Sequence, residues 1–349
     1  MKQRSHRCDS FPSFATVLSR LSARPFSLVA LSLAAALLLG GFDGSSAWAQ
    51  GRPIRLVVPF APGGNIDAIG RLFASQLSES QGESWIVENI SGGNGTIGTQ
   101  ALGKMPADGR SLMFVADGHA MAPLLMKNVP YDPLKDFEPV ARVARAPLMF
   151  IANPAKVRAT NLRELITEMR ANPKQHAFSN AGYATWPHLA GEMFRARVGD
   201  SAADVPNVAY RGTGPAVAAV VSGEVTLMIV TPLAAMSMVR AGRLRALAVT
   251  SHERFEGAQE VPTAEEAGLQ EFNFMNSYAF WGPKGISKDV LTRTSASIRK
   301  VTENSELRRR LLDLGVSVNF EPPEVFARQV AEESQRTLQM VTRIGLRPQ

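Results

Sequence analysis

The segment IRLVVPFAPGGNIDAIGRLFASQLSES, residues 54–80, carries the pattern that decides the fold. Its first part, Ile54–Phe60, is an almost continuous apolar run, which predicts a buried strand. Apolar residues then recur at helical spacing over Asn65–Ser80, which predicts an amphipathic helix packed on that strand. Gly63 and Gly64 lie between the two. A strand, a glycine loop and a helix in this order predict one unit of an α/β sheet.

The same alternation of strands and helices continues along nearly the whole chain. Further strands are predicted over Trp85–Glu88, Leu112–Ala116, Leu148–Ala152, His176–Asn180, Val208–Tyr210, Val225–Val230, Leu244–Thr250, Asn273–Trp281 and Val316–Phe320. Helices are predicted from near Thr96, after an Asn161 cap, and over Pro187–Val198, Pro215–Val221, Pro232–Ala241, Lys288–Asn304, Leu307–Leu314 and Glu324–Ile344. Two such series predict two α/β lobes, each a mainly parallel sheet flanked by helices.

Composition and charge narrow the class of protein. With 349 residues and 45% apolar side chains, the chain has ample material for a core, which excludes a disordered protein. The net charge is +7, but residues 1–49 hold five basic and two acidic side chains, so the remainder has a net charge of +4. A small excess spread over that length does not indicate a nucleic-acid partner.

Residues 1–49 are interpreted as a secretory signal peptide. A basic region ends at Arg24, an apolar stretch follows, and Ala47-Trp48-Ala49 is typical of a cleavage site. The alternative is a membrane anchor, although the run 26–42 is shorter than the ~20 residues that span a bilayer. The only cysteine, Cys8, lies in this leader. We therefore expect a periplasmic protein, cleaved near Ala49, without disulfides or a thiol nucleophile.

Two glycine-containing loops are candidate anion sites. The first runs from Pro59 to Asp67, where glycines and a helix N-terminus can bind an anion through backbone N–H groups; a plain turn is the alternative. The second contains Gly-x-Gly-x-x-Gly at Gly93, Gly95 and Gly98. This spacing also occurs in dinucleotide enzymes. In this chain the motif follows the second predicted strand rather than the first. We therefore favour a second anion-binding site at a helix N-terminus over a dinucleotide site.

Two loops in the second half of the chain also lead from a strand into a helix. Asn180, Tyr183 and Thr185 offer hydrogen bonds, and Trp186 offers an aromatic wall. His188 follows at the start of the helix. It could contact a ligand, or it could have a structural role at the helix terminus. In the other loop, Arg211 could bind a carboxylate with two parallel hydrogen bonds or lie solvated on the surface.

Patterns of known catalytic sites are lacking in the sequence after residue 49. It has four histidines, at positions 119, 176, 188 and 252, without the spacing of a metal site. It contains neither a Gly-x-Ser-x-Gly elbow nor a phosphate-binding P-loop. We therefore expect a binding protein rather than an enzyme, with no cofactor and no metal.

The motifs together resemble the substrate-binding proteins of tripartite tricarboxylate transporters, the Bug or TctC family. The resemblance rests on VVPFAPGGNID, VEN with GGNGTIG, ADGRSLMF, PYDPLKDFEPV, HLAGEMF, VAYRGTGPAV, AGRLRALAVT and VPTAEEAG, in this order over nearly all of 52–349. It implies a two-lobed clamshell of the type II periplasmic-binding kind with two crossing segments. Lobe 1 would comprise 50–151 and 276–349, and lobe 2 would comprise 152–275.

The resemblance also implies the site residues. Its carboxylate loops correspond here to Ala61, Pro62, Gly63, Gly64, Asp67, Gly95 and Thr96. The opposite lobe would contribute Asn180, Tyr183, Thr185, Trp186, Tyr210, Gly212 and Thr213. The chain departs from the family pattern at Asn180, Ala184, Thr226, Val230, Ser277 and Ala122. These departures leave the first-lobe anion loop intact and alter the part of the pocket that meets the rest of the ligand.

The expected function is capture of a small organic carboxylate by a monomeric periplasmic protein, which delivers it to the membrane subunits of a transporter. Two alternatives remain open at this point. One is an exported α/β enzyme that acts on a small carboxylate. The other is a binding protein that presents its ligand to a sensor kinase.

Overall fold

The computed structural model describes residues 52–116, 118–183 and 185–348. The expected signal peptide, its cleavage near Ala49 and Cys8 lie outside the described residues. Of the helices within those ranges, none is both long enough and apolar enough to cross a membrane.

The described residues form strands and helices in alternation. The strands are β1 (Ile54–Val58), β2 (Trp85–Asn89), β3 (Ser111–Ala116), β4 (Phe137–Pro147), β5 (Met149–Ala152), β6 (Phe178–Asn180), β7 (Asn207–Ala209), β8 (Leu227–Val230), β9 (Arg245–Val249), β10 (Met275–Pro283) and β11 (Ser317–Glu321). The helices are α1 (Asn65–Gln81), α2 (Thr96–Gly103), α3 (Gly118–Leu125), α4 (Leu162–Ala171), α5 (Trp186–Val198), α6 (Thr213–Ser222), α7 (Pro232–Arg240), α8 (Lys288–Thr302), α9 (Ser305–Asp313) and α10 (Pro323–Arg343).

The strands form two sheets. The first has the order β11-β4-β10-β3-β1-β2, and the second has the order β7-β6-β8-β5-β9. In the first sheet β1 pairs in parallel with β2 and β3, whereas β10 runs antiparallel to β3 and β4, and β11 runs antiparallel to β4. In the second, β6 is parallel to β7 and β8, and β5 is antiparallel to β8 and β9.

Both sheets are therefore mixed, which corrects the expectation of mainly parallel sheets. Of the antiparallel strands, β5 and β10 are those by which the chain enters one sheet from the other, whereas β11 is an edge strand of the first sheet. β5 follows β4 after the single residue Leu148 and enters the second sheet against the direction of its neighbours.

The division between the sheets also falls slightly earlier than the predicted lobe boundary. β5 (Met149–Ala152) belongs wholly to the second sheet, so the chain changes sheet at Leu148. The lobe boundary after residue 151 stays a prediction. The return at Met275, where β10 begins in the first sheet, lies next to the predicted boundary at residue 276.

Strong apolar periodicity predicted the local structure well. Ile69, Phe73 and Leu77 of α1 are fully buried against the first sheet, as the stripe predicted. The predicted cap of α4 is confirmed, because the Asn161 side chain accepts a hydrogen bond from the Glu164 N–H at 3.0 Å. Two elements, α3 and β4, were not predicted. β4 is the longest described strand, but arginines and prolines interrupt its apolar pattern.

The C-terminal helix contacts the cores of both sheets. Near its start, Phe326 and Val330 of α10 pack with residues of the first sheet. Near its end, Val341 packs in the core of the second sheet, and Ile344 and Leu346 beyond it lie against the same core. The helix therefore connects the two sheets in addition to the strand passages.

Candidate ligand-binding site

A cavity of about 660 Å³ lies where the loops after several strands of both sheets meet. This volume is within the range of small-molecule sites. The cavity is lined by Phe60, Ala61, Pro62, Gly63, Gly64, Asn65, Ile66, Asn94, Ala116, Gly118, Leu148, Ala181, Thr185, Trp186, Pro187, Gly212, Thr213, Gly214, Val230, Thr231, Asn276 and Tyr278. In α/β folds ligands bind beyond the carboxyl ends of the strands, where loops lead into helix N-termini, and the cavity borders such loops.

Eight of the fourteen site residues predicted from the sequence line this cavity. They are Ala61, Pro62, Gly63, Gly64, Thr185, Trp186, Gly212 and Thr213. The other six, which do not line it, are Asp67, Gly95, Thr96, Asn180, Tyr183 and Tyr210. These residues instead stabilise the loops that surround the cavity, through hydrogen bonds or close packing.

Asp67 stabilises the loop between β1 and α1 through hydrogen bonds of its buried carboxylate. It is 3% exposed, and its carboxylate accepts a hydrogen bond from the Gly63 N–H at 2.9 Å. Arg71 and Asn89 donate to the same carboxylate at 3.0 and 2.9 Å. Burial alone would raise the pKa of Asp67, but these hydrogen bonds outweigh it and hold the pKa below its usual value. Asp67 therefore shapes the loop and is not a wall of the cavity.

The two glycines of this loop have different roles. Gly63 has φ +82°, in the left-handed region that favours glycine, and its N–H is already used by Asp67. Gly64 has φ −80° and caps α1 without a side-chain hydrogen bond. The first intrahelical bond of α1 runs from the Ala68 N–H to the Gly64 oxygen, so the N–H groups of residues 64–67 have no acceptor within the helix.

The start of α1 is consequently a place where an anion is favoured at the cavity wall. Unpaired N–H groups and the positive end of the helix dipole both stabilise negative charge. The sequence analysis assigned this role to both glycines. Because the Gly63 N–H donates to Asp67, the donors that remain for a ligand begin at Gly64.

The second glycine loop contributes one lining residue, Asn94, rather than the predicted Gly95 and Thr96. The Thr96 hydroxyl donates to the Gly93 oxygen at 2.8 Å and closes the turn. A Cβ at Gly95 would lie 3.1 Å from the Phe60 ring, so this glycine lets Phe60 pack beside the cavity.

The third glycine of that loop serves helix packing. A Cβ at Gly98 would lie 2.4 Å from the Ile90 oxygen and 2.8 Å from the Pro59 Cα. Gly98 thus lets α2 approach the ends of the first strands closely. The Gly-x-Gly-x-x-Gly spacing is accounted for by a tight turn and this approach, without a dinucleotide.

In the loop after β6, Thr185 and Trp186 line the cavity and Asn180 and Tyr183 support them. Asn180 is fully buried, where it donates to the Asn207 side chain at 2.8 Å and accepts from the Gly182 N–H at 2.9 Å. The Tyr183 hydroxyl donates to the Arg347 oxygen at 2.7 Å, which ties the loop to the C-terminal segment. Thr185 caps α5.

The loop after β7 places Gly212 and Thr213 at the cavity and turns Tyr210 away from it. The Tyr210 hydroxyl donates to the Glu224 carboxylate at 2.7 Å. Burial and this carboxylate raise the pKa of Tyr210 to about 12. Arg211 is exposed and does not line the cavity, so its guanidinium group is not placed to bind a ligand there.

Several lining residues were missed because the sequence analysis interpreted them as core or ignored them. Leu148 and Tyr278 lie at the junction and on the strand by which the chain passes between the sheets, and Val230 is the last residue of β8 in the second sheet. The predicted crossing segments were the available signal, since a cleft between two lobes must border its crossings. Asn65 and Thr231 come from helix starts on opposite sides, and the Asn65 Nδ2 donates to the Thr231 Oγ1 at 3.5 Å.

Among the described residues, no lysine, arginine, histidine, aspartate or glutamate lines the cavity. Three of the four histidines are buried elsewhere: burial lowers the pKa of His119 to about 3 and also lowers the pKa values of His176 and His188. His252 lies near the Glu265 carboxylate, with its Nδ1 at 3.2 Å. In the same part of the chain, no group of three or more His, Cys, Asp or Glu side chains is placed to hold a metal.

The sequence profile described as the tripartite tricarboxylate transporter family receptor matches residues 69–346. The chain belongs to the tripartite tricarboxylate transporter receptor family. It is 32% identical to BugT of Bordetella pertussis over 84% of this chain and 90% of BugT. The resemblance inferred from the motifs is thereby confirmed.

Solved structures of related receptors share the fold. The periplasmic binding protein BugD superposes with a TM-score of 0.75 at 29% identity, over 86% of this chain and 99% of BugD. A Rhodopseudomonas palustris protein solved with adipate superposes with a TM-score of 0.78 at 28% identity, over 86% of this chain and 100% of that protein. The expected two-lobed periplasmic-binding fold is thus confirmed, with mixed sheets in place of mainly parallel ones.

Membership in the tripartite tricarboxylate transporter receptor family agrees with the chemistry of the cavity. Members of the family are solute-binding proteins of transporters. A solute-binding protein needs a cleft with donors for its ligand and no reacting groups, and the described lining consists of backbone, apolar, hydroxyl and amide groups.

Proposed function

We propose that this tripartite tricarboxylate transporter receptor captures a small organic carboxylate and presents it to the membrane subunits of its transporter. One observation carries the proposal: the N-terminus of α1, where Gly64 provides no side-chain cap, borders the cavity. Among the described residues that line this cavity, none has a charged side chain. In such a site, backbone N–H groups and the helix dipole supply the attraction for a carboxylate. The adipate in the Rhodopseudomonas palustris relative supports the same ligand class.

The proposed action is closure of two lobes over the ligand. The lobes are the predicted ones, with the first boundary moved to Leu148 to follow the sheets: 50–148 with 275–349, and 149–274. The hydrogen bond between Asn65 and Thr231 crosses the cavity mouth and supports a closed arrangement. A ligand that touches both lobes favours this arrangement over an open one.

The proposed place of action is the periplasm, where the chain acts as a monomer after removal of residues 1–49. The periplasmic binding protein BugD and the signal-peptide pattern support this location. Mass analysis of the periplasmic fraction is expected to show a chain that begins at or near Gln50. A membrane-bound chain of full length contradicts the cleavage.

The carboxylate function is tested by thermal-shift and native mass spectrometry screens of the purified mature chain against organic acids. Neutral amides of the same acids serve as matched controls, because they keep the shape and lose the charge. Stabilisation by acids and not by their amides is expected. Equal stabilisation by the amides contradicts recognition of a carboxylate.

The enzyme alternative is tested with the same ligands. The protein is incubated with an excess of each acid that binds, and mass spectrometry follows the amount of unchanged acid. Recovery of all of it is expected of a binding protein. Loss beyond one equivalent per protein contradicts binding alone.

A further inference from the structure

The two sides of the cavity differ in the number of backbone donors that they offer. α1, on the first-sheet side, has no proline in its first turn, so residues 64–67 all carry N–H groups. On the second-sheet side, each of the three helices that start at the cavity has a proline there: Pro187 in α5, Pro215 in α6 and Pro232 in α7. Proline has no N–H group, so these helix starts are depleted in donors.

Some of the remaining donors on the second-sheet side are engaged, while others, among them the Thr213 and Gly214 N–H groups, have no acceptor among the described residues. The His188 N–H donates to the Thr185 hydroxyl at 3.4 Å, and that hydroxyl donates to the Gly182 oxygen at 2.7 Å. The Ala234 N–H donates to the Thr231 oxygen at 3.1 Å. A second carboxylate on this side would therefore meet fewer backbone N–H groups at any one helix start than a carboxylate at the start of α1, and a buried charge without partners is strongly unfavourable.

The innermost part of the cavity wall is apolar. Leu148, Val230 and Tyr278 are at most 1% exposed although they line the cavity, and Trp186 and Pro187 extend the apolar surface. The Tyr278 hydroxyl accepts a hydrogen bond from the Asn276 side chain at 3.1 Å. Contact with this wall favours hydrocarbon, because burial of apolar surface is the main source of affinity in such a pocket.

We propose that the ligand is a monocarboxylate with an apolar body, its carboxylate at the start of α1 and its hydrocarbon part against Leu148, Val230 and Tyr278. The inference rests on the proposed carboxylate function and names the class of carboxylate. The competing arrangement places a second carboxylate at the start of α6, where the Thr213 and Gly214 N–H groups have no acceptor within the helix. That arrangement predicts the opposite preference, for a dicarboxylate.

Matched pairs of acids distinguish the two arrangements. Titration calorimetry compares hexanoate with adipate, cyclohexanecarboxylate with cyclohexane-1,4-dicarboxylate, and benzoate with terephthalate. In every pair for which binding is measured, the monoacid is expected to bind at least about tenfold more tightly. A smaller ratio, or a preference for the diacid, overturns the inference and leaves the carboxylate function standing. Binding of none of the six acids contradicts the carboxylate function, and the inference falls with it.

A pair of matched variants tests the position of the hydrocarbon part. Val230→Thr keeps the shape of the side chain and replaces one methyl group with a hydroxyl, which the apolar body must desolvate, so the best monoacid is expected to bind about fivefold more weakly. Val249→Thr makes the same change in a fully buried residue outside the cavity, and its affinity is expected to stay within about twofold. Unchanged affinity in Val230→Thr overturns the inference. If that variant does not fold, Val230→Ala, which removes apolar contact alone, gives the same readout.

Discussion

At the scale of single residues, the adjacent glycines of the first loop are required for different physical reasons. Gly63 has a positive φ, which a side chain would strain. Gly64 has an ordinary φ, and the nearest atom to an added Cβ, the Ala61 oxygen, would be 3.7 Å away. The fold therefore tolerates a methyl group at position 64, and any cost of adding one arises from the ligand.

The first prediction is that Gly64→Ala folds normally and weakens carboxylate binding by more than ~1.4 kcal/mol, a tenfold loss. The added methyl group crowds an anion held at the start of α1. Calorimetry measures the affinity, and thermal unfolding checks the fold. Gly63→Ala is the contrasting variant, in which the positive φ is expected to cost stability of about 1–3 kcal/mol.

Arg211→Gln is the control for the alternative in which the Arg211 guanidinium, and not the start of α1, binds the carboxylate. Because Arg211 is exposed and outside the cavity lining, its replacement is expected to leave the affinity unchanged. Native affinity in Gly64→Ala together with lost binding in Arg211→Gln contradicts the assignment of the carboxylate to the start of α1.

The second prediction concerns pH and Asp67. Its pKa is lower in the folded protein than the usual 3.8, so its ionised form stabilises the fold fully above that value. This stabilisation is lost as the pH falls through the lower folded pKa. Asp67→Asn is expected to lower the free energy of unfolding by about 1.5–3 kcal/mol at pH 7, since a charged acceptor is lost. The deficit is expected to shrink below pH 3.8.

Urea unfolding at pH 7 and pH 3 measures this difference between the wild type and the variant. Asp289→Asn, in the first turn of α8, is the matched control, because Asp289 is exposed there. Its effect is expected to be small at both pH values. A deficit for Asp67→Asn that is the same at pH 7 and pH 3 contradicts the role given to the ionised carboxylate.

At the scale of elements, β4 is held in the first sheet by a buried arginine. Arg142 is fully buried and lies 3.1 Å from the Glu321 carboxylate on β11 and 2.5 Å from the Glu333 carboxylate on α10. Its guanidinium carbon also lies 4.9 Å from the centre of the Phe326 ring. One side chain thus joins a strand, its neighbour and the C-terminal helix.

The third prediction compares two arginines of β4 that share these partners. Arg142→Leu is expected to cost about 3–5 kcal/mol in the free energy of unfolding, because it leaves carboxylates without a buried counter-charge. Arg145→Leu, at a side chain that is 26% exposed and bonds the same glutamates, is expected to cost about 1 kcal/mol. Urea unfolding at pH 7 measures both. Equal costs for the two variants contradict a special role for the buried guanidinium.

At the scale of the whole molecule, several contacts join the regions built on the two sheets, and two of them bear on the cavity. Asn65 and Thr231 form a hydrogen bond across the cavity. In the other, the end of α10 packs on the core of the second sheet, and the Arg347 oxygen accepts the Tyr183 hydroxyl. The second contact reaches the loop that carries Thr185 and Trp186, so the C-terminal segment supports the cavity wall.

The fourth prediction is that ligand binding reduces the radius of gyration of the mature chain in solution scattering, because a ligand that touches both lobes favours closure. Thr231→Val removes the hydroxyl that Asn65 contacts and is expected to weaken both the closure and the affinity. Thr167→Val, at an exposed hydroxyl that bonds within its own helix, is the control and is expected to behave as the wild type. Tight binding without any compaction contradicts the clamshell action.

The sequence alone determined the elements whose pattern is local. β1, α1 and the Asn161 cap follow from apolar spacing and cap chemistry, and the glycine loop before α1 follows from residue type. The motif order predicted the family and the two-lobed fold, both of which are confirmed. Of the fourteen site residues that the family resemblance implied, eight line the cavity, and their role in binding stays a prediction.

Only the tertiary structure decided the features that depend on residues far apart in the chain. β4 was missed because its arginines oppose burial locally, and their partners lie near residues 321–333. Asp67, Asn180 and Tyr183 have the side chains of ligand-binding residues, yet each is used by a hydrogen bond that shapes a loop. Whether a polar side chain faces a cavity or supports its wall depends on which groups the fold brings to it, and local spacing does not contain that information.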